Sequence, residues 1–334
     1  MRLVVQIPCL NEESTLPSVL ESIPRTIEGI DEIVVVVIDD GCTDRTVEIA
    51  RQHGVEHFVR HTSTRGLARS FQDGISYALA LGADIVVNTD GDNQYPQDRI
   101  CDLVAPVRDG HADVVIADRQ TGQIQHFSPM KKALQRLGSG VVNKVAGTEL
   151  PDAASGFRAY SRESLMRLNT VTRFSYCMET IIQAGNMRLA IDSVPVVTNA
   201  KTRDSRLFSS TRQHVWRSGA AIVRSYIMFR PYVIFGSLMA AFGVLGLVPF
   251  LRYAVIEAAG DGGGHLQSLL VGAVLLIMAF LSGMLGVISD LIRTNRILIE
   301  TTLEHTKRAR FSAGEDRHAV VDPLVTQAVT APAP

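Results

Sequence analysis

Two long runs without a charged side chain lie near the carboxyl terminus, at residues 232–251 and 266–289. Each has about the 20 residues that a helix needs to cross the hydrocarbon layer of a bilayer. Inside that layer every backbone N–H and C=O group needs a partner within the segment, so such a run can only be helical. Because a short loop separates the runs, we predict a two-helix transmembrane hairpin at residues 231–290. A pair of core helices in a soluble protein is the alternative.

Positively charged side chains flank the hairpin on both outer sides, whereas the loop between the runs has one arginine, Arg252. Lysine and arginine are enriched on the cytoplasmic side of membrane proteins. We therefore predict an integral protein of the cytoplasmic membrane whose two termini and large amino-terminal region are cytoplasmic. The segment 207–230, rich in arginine and aromatic residues, is predicted to be an amphipathic helix at the membrane interface. Residues 291–334 are predicted to form a cytoplasmic helix and a disordered tail.

The first 200 residues alternate short β-branched runs with amphipathic stretches, which is typical of a doubly wound α/β domain. Strands are predicted at residues 3–8, 33–38, 55–59, 85–87, 112–117 and 191–197, and a loop at 150–160 leads into another short strand. Helices are predicted to end near residues 22 and 52 and to cover 67–81, 96–107, 129–145 and 174–184. The polar residues 121–128 are predicted to be a mobile lid.

The composition excludes several classes of protein. The formal net charge of −1 over 334 residues provides no general attraction to nucleic acid. The four cysteines are far apart in the sequence and form no CxxC pair, which argues against a disulfide framework or a zinc site.

Acidic residues follow three of the predicted strands, and one of them is Asp118, beside Arg119, after residues 112–117. Asp90 and Asp92 come after residues 85–87, with Gly91 between them, and Asp39 and Asp40 end the strand at 33–38. Ligands of such sheets lie at the carboxyl ends of the strands. Carboxylates that converge there repel one another unless a cation or a hydroxyl-rich ligand compensates them. We therefore predict a site for a hard divalent cation and a diphosphate, at which Gly91 allows a turn that directs both carboxylates to one point.

The alternative role of such carboxylates is to cap the helix that follows the strand. We favour this role for Asp44, which directly precedes the helix that ends near residue 52.

Four motifs occur in order along the chain: Pro8-Cys9-Leu10-Asn11-Glu12-Glu13, Ile38-Asp39-Asp40-Gly41-Cys42-Thr43-Asp44, Thr89-Asp90-Gly91-Asp92-Asn93-Gln94-Tyr95-Pro96 and Ser155-Gly156-Phe157-Arg158-Ala159-Tyr160. Together they resemble the glycosyltransferase family 2 enzymes of the dolichyl- or polyprenyl-phosphate hexosyltransferase type, over about residues 3 to 210. The resemblance implies a GT-A nucleotide-diphospho-sugar transferase fold with a mixed sheet, and a catalytic domain at 1–206. It also implies inverting transfer of a hexose to a lipid phosphate.

The resemblance also implies roles for individual residues. Those implied to bind the nucleotide sugar are Pro8, Asn11, Glu12, Asp39, Asp40, Asp90, Gly91 and Arg119. Those implied to hold Mg²⁺ or Mn²⁺ are Asp90, Asp92 and Gln94, and those implied to bind the acceptor phosphate are Arg203, Ser205 and Arg206. Asp90, Asp92 and Arg203 are the predicted catalytic residues, although Asp204 and Arg206 depart from the family pattern around Arg203.

A phosphate acceptor simplifies the chemistry. The second pKa of a phosphomonoester is about 6, so the nucleophile is already anionic at neutral pH and needs no strong general base. The reaction requires neutralisation of the negative charge on the departing diphosphate. It also requires side chains that bind the donor diphosphate and the acceptor phosphate together, for which arginine is suited. Asp152 and Glu179 are the alternatives for a base or for orienting sugar hydroxyls.

Several alternatives stay open at this point. GDP-mannose, UDP-glucose and UDP-N-acetylglucosamine all fit the motifs as donors, and a homo-oligomer is compatible with them. A polysaccharide synthase of the same superfamily would have a Gln-x-x-Arg-Trp motif, whereas Gln213-His214-Val215-Trp216-Arg217 has the wrong order. A nucleotidyltransferase has no need of a membrane hairpin. A membrane-tethered nucleotide-sugar-binding partner without turnover is the non-enzyme alternative.

Overall fold

The computed structural model describes residues 1–121, 129–170, 176–199, 231–258 and 266–312. These residues fall into two compact units. One contains the described parts of 1–219 and of 302–334, and the other contains the described parts of 220–301. The predicted lid at 121–128, apart from Thr121, and the predicted interfacial helix at 207–230 lie outside the described residues.

A seven-stranded sheet forms the centre of the first unit. Its strands lie in the order β3-β2-β1-β4-β6-β5-β7, and β6 runs antiparallel to both of its neighbours while all other pairs are parallel. The sheet is therefore mixed, as predicted. The strand bounds are β1 Arg2–Cys9, β2 Glu32–Asp39, β3 His57–Arg60, β4 Ile85–Asn88, β5 Val114–Asp118, β6 Arg158–Ser161 and β7 Ile191–Pro195.

Helices cover the sheet on both faces. Their bounds are α1 Leu16–Ser22, α2 Thr46–Gln52, α3 Leu67–Ala80, α4 Ile100–Arg108 after a 3₁₀ turn at Gln97–Arg99, α5 Pro129–Ala146, α6 Arg162–Arg167 and α7 Tyr176–Asn186. In α3 the buried residues Phe71, Ile75 and Leu79 recur at a spacing of four, so one face of this helix packs on the sheet. The central strand β1 is buried from Leu3 to Cys9, which agrees with coverage on both faces.

The end of α2 explains why β3 begins later than predicted. The N–H of Val55 donates to the carbonyl of Ala50 at 3.0 Å, and Gly54 has φ +82°. A left-handed glycine and a backward hydrogen bond of this kind end a helix. Val55 is therefore buried as part of the helix end, and the strand starts two residues further on.

The second unit is a pair of long apolar helices, α8 Pro231–Ala258 and the amino-terminal part of α9 Leu266–Ser312. Their length and composition suit a membrane crossing, and only 6% and 22% of their most apolar windows are buried. The two backbones approach closely: a Cβ at Gly246 would lie 3.1 Å from the carbonyl oxygen of Gly272. The domain bounds at 206, 230 and 290 stay a prediction.

The carboxyl-terminal part of α9 belongs to the first unit and contacts α6. The ammonium group of Lys307 donates to the carbonyl oxygens of Leu165 and Leu168, at 3.1 and 2.7 Å. Arg162 donates to the carbonyl oxygen of Phe311 at 2.8 Å. The two Lys307 bonds satisfy carbonyl groups at the end of α6, and the Arg162 bond satisfies a carbonyl group in the last turn of α9.

Candidate active site

The loops after β1, β2 and β4 form one rim at the carboxyl edge of the sheet. The side-chain oxygen of Asn11 accepts a hydrogen bond from the N–H of Thr43 at 2.8 Å, which joins the first two loops. The hydroxyl of Thr15 donates to the carbonyl of Gly91 at 2.7 Å, which joins the first loop to the third. The structure therefore brings the first three sequence motifs together, as the arrangement of parallel strands predicts. Pro8 lies within β1, where it pairs with Ile38.

Asp90 follows β4 and lies against Gly156, which precedes β6. A Cβ at Gly156 would stand 3.3 and 3.5 Å from the two carboxylate oxygens of Asp90 and 3.2 Å from the hydroxyl of Tyr176. The fourth motif thus meets the third, and glycine at position 156 leaves the room that the carboxylate occupies.

The predicted role of Gly91 in the backbone turn is wrong. Its φ lies outside the left-handed region, and the residue of this loop that adopts that region is Asn93, with φ 56°. Gly91 instead allows a close approach, because a Cβ there would lie 3.1 Å from the sulfur of Cys9 and 3.2 Å from Cγ of Glu12. The absence of a side chain, rather than conformational freedom, is what this position requires.

Left-handed backbone at non-glycine residues recurs on the rim. Asn11, Asn93 and Gln120 have φ of 57°, 56° and 48°, and they follow β1, β4 and β5. Such conformations carry strain and persist where the surrounding structure holds them, which is common at functional sites. The fourth residue of this kind, Arg188, lies in the turn between α7 and β7.

Asp90 and Asp92 supply two carboxylates to the rim. The N–H of Gln94 donates to an Asp92 oxygen at 3.1 Å, and the carbonyl of Gln94 accepts from the N–H of Asn199 at 2.9 Å. Among the residues that the structure describes, no group of three or more His, Cys, Asp or Glu side chains is arranged to hold a metal ion. Mg²⁺ is commonly held by one or two carboxylates together with substrate phosphates, so this pair fits an ion that arrives with a diphosphate.

Asp39 is almost completely buried at the end of β2. One carboxylate oxygen accepts from the N–H of Cys42 at 2.7 Å, and the other accepts from the guanidinium of Arg60 at 3.1 Å. Arg60 itself is half-exposed, so the outer side of this ion pair faces solvent.

Asp40 has three internal partners. Its carboxylate accepts from the N–H groups of Arg65 and Gly66, at 2.8 and 2.9 Å, and lies 2.7 Å from Nδ1 of His61. Burial raises the pKa of Asp40, but these bonds outweigh it and hold the pKa below its usual value. Asp40 thereby fixes the loop that precedes α3, and its contact with the nucleotide sugar stays a prediction.

His61 lies between two carboxylates, an arrangement that sequence reasoning missed. Its second ring nitrogen is 3.1 Å from Asp73, which also pairs with Arg69. Hydrogen bonds that the ring donates to Asp40 and Asp73 raise the pKa of His61 to about 9. The ring is therefore protonated at neutral pH and links the end of β3 to α3.

Arg119 and Asp152 form a buried bidentate ion pair, with distances of 2.6 and 3.0 Å. Burial raises the pKa of Asp152, but the Arg119 guanidinium outweighs it and holds that pKa below its usual value. A carboxylate held in this way is a poor proton acceptor, which argues against Asp152 as a base. The fork of Arg119 faces Asp152 rather than the open rim.

Glu179, the other alternative for a base, is buried in α7. One of its oxygens accepts from the side-chain amide of Gln183 at 3.3 Å. Arg203, Ser205 and Arg206 lie outside the described residues, so the predicted acceptor site stays a prediction.

Arg158, quoted in the fourth motif, has a role that the motif did not reveal. Its side chain has no exposed surface and donates to the carbonyl oxygens of Ala153, Ser155 and Cys177 and to the hydroxyl of Thr180. It therefore fastens the loop that contains Gly156 to α7. The signal in the sequence for this buried role was that Arg158 directly follows the aromatic residue Phe157 and begins a strand.

Comparisons with known proteins agree with this geometry. Residues 4–168 match the model of the family "Glycosyl transferase family 2". The chain is 28% identical over 225 residues to the dolichyl-phosphate hexose transferase of Haloferax volcanii, covering 67% of this chain and 92% of that protein. It is 27% identical over 213 residues to the UDP-N-acetylglucosamine–dolichyl-phosphate N-acetylglucosaminyltransferase of Methanococcus voltae, covering 58% and 83%.

A solved structure supports the fold. Glucosyl-3-phosphoglycerate synthase of Mycobacterium tuberculosis, in complex with Mn²⁺, UDP-glucose and phosphoglyceric acid, superposes with a TM-score of 0.52 at 22% identity. The match covers 68% of this chain and 78% of that one. The predicted GT-A α/β fold with a mixed sheet is thereby confirmed.

Proposed function

Because this chain belongs to glycosyl transferase family 2, we propose that it transfers a hexose from a nucleotide-diphospho-sugar to polyprenyl or dolichyl phosphate at a membrane, with inversion at the anomeric carbon. The observation that carries the proposal is the rim on which Asp90 and Asp92 lie beside the loops of Asn11 and Asp39. The names of the relatives from Haloferax volcanii and Methanococcus voltae support a dolichyl-phosphate type of acceptor. The candidate donors are GDP-mannose, UDP-glucose and UDP-N-acetylglucosamine.

In this proposal Asp90, Asp92 and Gln94 hold Mg²⁺ or Mn²⁺ together with the donor diphosphate. The ion supplies neutralisation of the negative charge that develops on the departing diphosphate. Pro8, Asn11, Glu12 and Asp39 line the nucleotide pocket. The bonds of Asn11 to Thr43 and of Thr15 to Gly91 hold the loops of these residues together.

Arg203, Ser205 and Arg206 hold the acceptor phosphate in this proposal. Asn199 donates to the carbonyl of Asn93 at 3.0 Å, so the chain passes the Asp92 loop four residues before Arg203. Four residues of chain span at most about 14 Å, which is compatible with the proposed contact of Arg203 with the acceptor phosphate. The acceptor is anionic at neutral pH, so no general base is assigned, in agreement with the ion pair of Asp152 and Arg119.

The membrane location follows from the two apolar helices. With the catalytic domain at the cytoplasmic surface, the donor comes from solution and the lipid phosphate from the bilayer. Helices α8 and α9 anchor the chain in the same bilayer that contains the acceptor lipid.

Transfer to lipid is the decisive test. Membranes that contain the full chain are incubated with each labelled donor and polyprenyl phosphate, and the lipid extract is analysed. We expect one donor to label the lipid, EDTA to abolish labelling, and Mg²⁺ or Mn²⁺ to restore it. Asp92→Asn should lower the rate by more than the roughly 100- to 1,000-fold that a single charge-stabilising donor provides. The exposed Asp98→Asn, outside the site, should retain the rate.

Other outcomes identify the alternatives. Nucleotide-sugar binding without any lipid product would indicate a tethered binding partner, and repeated addition of sugars would indicate a polysaccharide synthase. Full turnover by Asp92→Asn in chelator would remove the metal from the proposal.

Arg203 distinguishes acceptor binding from donor binding. Arg203→Ala should leave the donor affinity nearly unchanged and slow the transfer to polyprenyl phosphate, because a lost charge-assisted bond costs about 1.5–3 kcal/mol. Arg203→Lys should recover part of the rate, since an ammonium cannot reproduce two parallel donors. Equal losses of donor binding and transfer would assign Arg203 to the nucleotide.

A further inference from the structure

A buried chain of amide groups crosses the sheet behind Asp90. The side-chain N–H of Gln6 in β1 donates to the side-chain oxygen of Asn88 at the end of β4, at 2.9 Å. The amide nitrogen of Asn88 donates in turn to the carbonyl of Gly156 at 2.9 Å and to the hydroxyl of Tyr176 at 2.8 Å. Neither Gln6 nor Asn88 has exposed surface, so both amides are beyond the reach of substrate.

The backbone of Gly156 is held through its N–H group as well as through its carbonyl. Its N–H donates to the hydroxyl of Tyr95 at 2.9 Å, and the ring of Tyr95 stacks on Phe157 at 5.2 Å between centroids. The ring of Tyr176 stacks on Phe71 at 4.0 Å. Both hydroxyls therefore come from aromatic rings whose positions are fixed by packing, and Gly156 has little freedom to move.

Asp90 packs directly against this fixed group. The position of a Cβ at Gly156 lies 3.3 and 3.5 Å from the carboxylate oxygens of Asp90, and 3.2 Å from the Tyr176 hydroxyl. Any displacement of Gly156 or Tyr176 therefore changes the space that the carboxylate occupies. Asn88 is the residue that binds both of them.

We propose that Asn88 is a positioning residue, which sets the place of the Asp90 carboxylate by holding Gly156 and Tyr176. The inference rests on the proposed role of Asp90 in binding a divalent cation with the donor diphosphate. Removal of the Asn88 amide leaves the Gly156 carbonyl and the Tyr176 hydroxyl buried with one donor fewer, and the two groups move to find other partners. Loss of a group that orients a metal ligand typically weakens metal affinity about 10- to 100-fold.

The test measures Mn²⁺ affinity rather than activity. Full-length protein in detergent is titrated with Mn²⁺ in the presence of UDP and, separately, of GDP, and free Mn²⁺ is followed by electron paramagnetic resonance. The melting temperature of each protein is measured in parallel. We expect Asn88→Leu to bind Mn²⁺ at least tenfold more weakly than the wild type. Tyr176→Phe, which retains the stacking on Phe71, should weaken binding in the same direction by a smaller factor.

The matched control is Asn143→Leu, the same substitution at another amide that bonds backbone. The side chain of Asn143 donates to the carbonyl of Leu150 at 2.9 Å and accepts from the N–H of Leu150 at 3.1 Å, at the end of α5. It should lower the melting temperature and leave Mn²⁺ affinity unchanged, which separates positioning from general destabilisation.

Each result supports or overturns the proposal. Equal Mn²⁺ affinity in the wild type and in Tyr176→Phe or Asn88→Leu overturns the role of Asn88 while the proposed metal site stands. Equal weakening in Asn143→Leu at the same loss of melting temperature also overturns it. A wild type that binds no Mn²⁺ with either nucleotide overturns the proposed metal site, and the inference with it. If Asn88→Leu does not fold, Tyr176→Phe against the wild type decides.

Discussion

Two adjacent carboxylates, Asp39 and Asp40, have different environments in the folded chain. Asp39 accepts from one backbone N–H and from the half-exposed Arg60. Asp40 is held by His61 and by two backbone N–H groups of the loop before α3. Asp39 is the last residue of β2 and Asp40 is the first residue of the loop after it, so one motif supplies both a rim residue and a loop support.

Gly156 is a residue at which a small change should affect the site directly, because it lies against Asp90. In Gly156→Ala the new methyl group would lie 3.3 Å from an Asp90 oxygen, so the carboxylate must move. We expect the rate of transfer to fall, by less than the roughly 100-fold that a displacement of about 1 Å causes at a reacting centre, because the contact requires a smaller shift. The measurement is the initial rate of lipid glycosylation in membranes.

Gly140→Ala is the control, because a Cβ at Gly140 in α5 meets nothing within 4 Å. That variant should retain the rate. A Gly156→Ala protein with the rate of the wild type would mean that Asp90 does not need its observed position.

The stability of the fold should depend on pH through His61. Its pKa is raised from 6.5 to about 9, so its stabilising contribution is complete below pH 6.5 and is lost as the pH rises through about 9. The pKa values of Asp40 and Asp73 are lowered, so their contribution is present above about pH 4 and is lost on acidification. We expect the melting temperature of the full chain in detergent to fall between pH 6.5 and pH 9.

His61→Gln should melt at a lower temperature at pH 6.5 and lose this additional fall, because glutamine does not titrate. The exposed His111→Gln should behave as the wild type. The same fall in His61→Gln as in the wild type would assign the pH dependence to other groups.

At the scale of elements, β6 is the strand that completes the site. It pairs antiparallel with β4, and the register sets Arg158 opposite Asn88. Continued two residues beyond the strand end, this register sets Gly156 opposite Asp90. A parallel strand in this position would present its other end to Asp90, so the direction of β6 is what brings the fourth motif to the third.

The helical hairpin depends on the close approach of α8 and α9. Gly246→Leu should force the helices apart, because a Cβ there would lie 3.0 Å from the backbone N of Leu276 and 3.1 Å from the oxygen of Gly272. Overpacking of this kind costs about 1–3 kcal/mol. The measurement is the melting temperature of the protein in detergent, which should fall.

Gly236→Leu is the matched control on the same helix, since a Cβ at Gly236 meets nothing within 4 Å. An equal effect of the two substitutions would mean that the contact between the helices does not contribute to stability.

At the scale of the whole molecule, the chain combines a nucleotide-sugar transferase fold with two helices suited to a bilayer. The distribution of arginine and lysine predicts that both chain ends lie on the cytoplasmic side. In that topology the residues between α8 and α9 are the part of the chain that faces outside.

Labelling of single cysteines tests this topology. In intact cells a cysteine at Gly263 should react with an impermeant thiol reagent, whereas cysteines at Ser209 and Ser312 should not. The exposed native Cys101 serves as an internal reporter, because it should react only after the membrane is opened. Reaction of all sites from the same side would contradict a spanning hairpin.

The sequence by itself determined the features that depend on neighbouring residues. Buried strands were recognised from β-branched runs, α3 from its apolar spacing, and α8 and α9 from two runs without charge. Asp44 lies at the start of α2, as predicted: it precedes the N-cap residue Arg45, and its carboxylate accepts from the N–H of Thr46 at 3.0 Å. Each of these features involves residues within a few positions of one another, so the pattern of side chains contains the information.

Only the tertiary structure decided which residues from distant parts of the sequence contact each other. Gly156 lies beside Asp90, and His61 lies between Asp40 and Asp73, through contacts between residues 12 to 66 positions apart. The left-handed backbone lies at Asn93 rather than at Gly91, and Gly91 approaches the loop after β1 closely. Both features likewise depend on how these two loops pack. Hydrogen bonding and steric fit act over a few ångströms in space, whereas residue type alone does not say which distant segment will occupy that space.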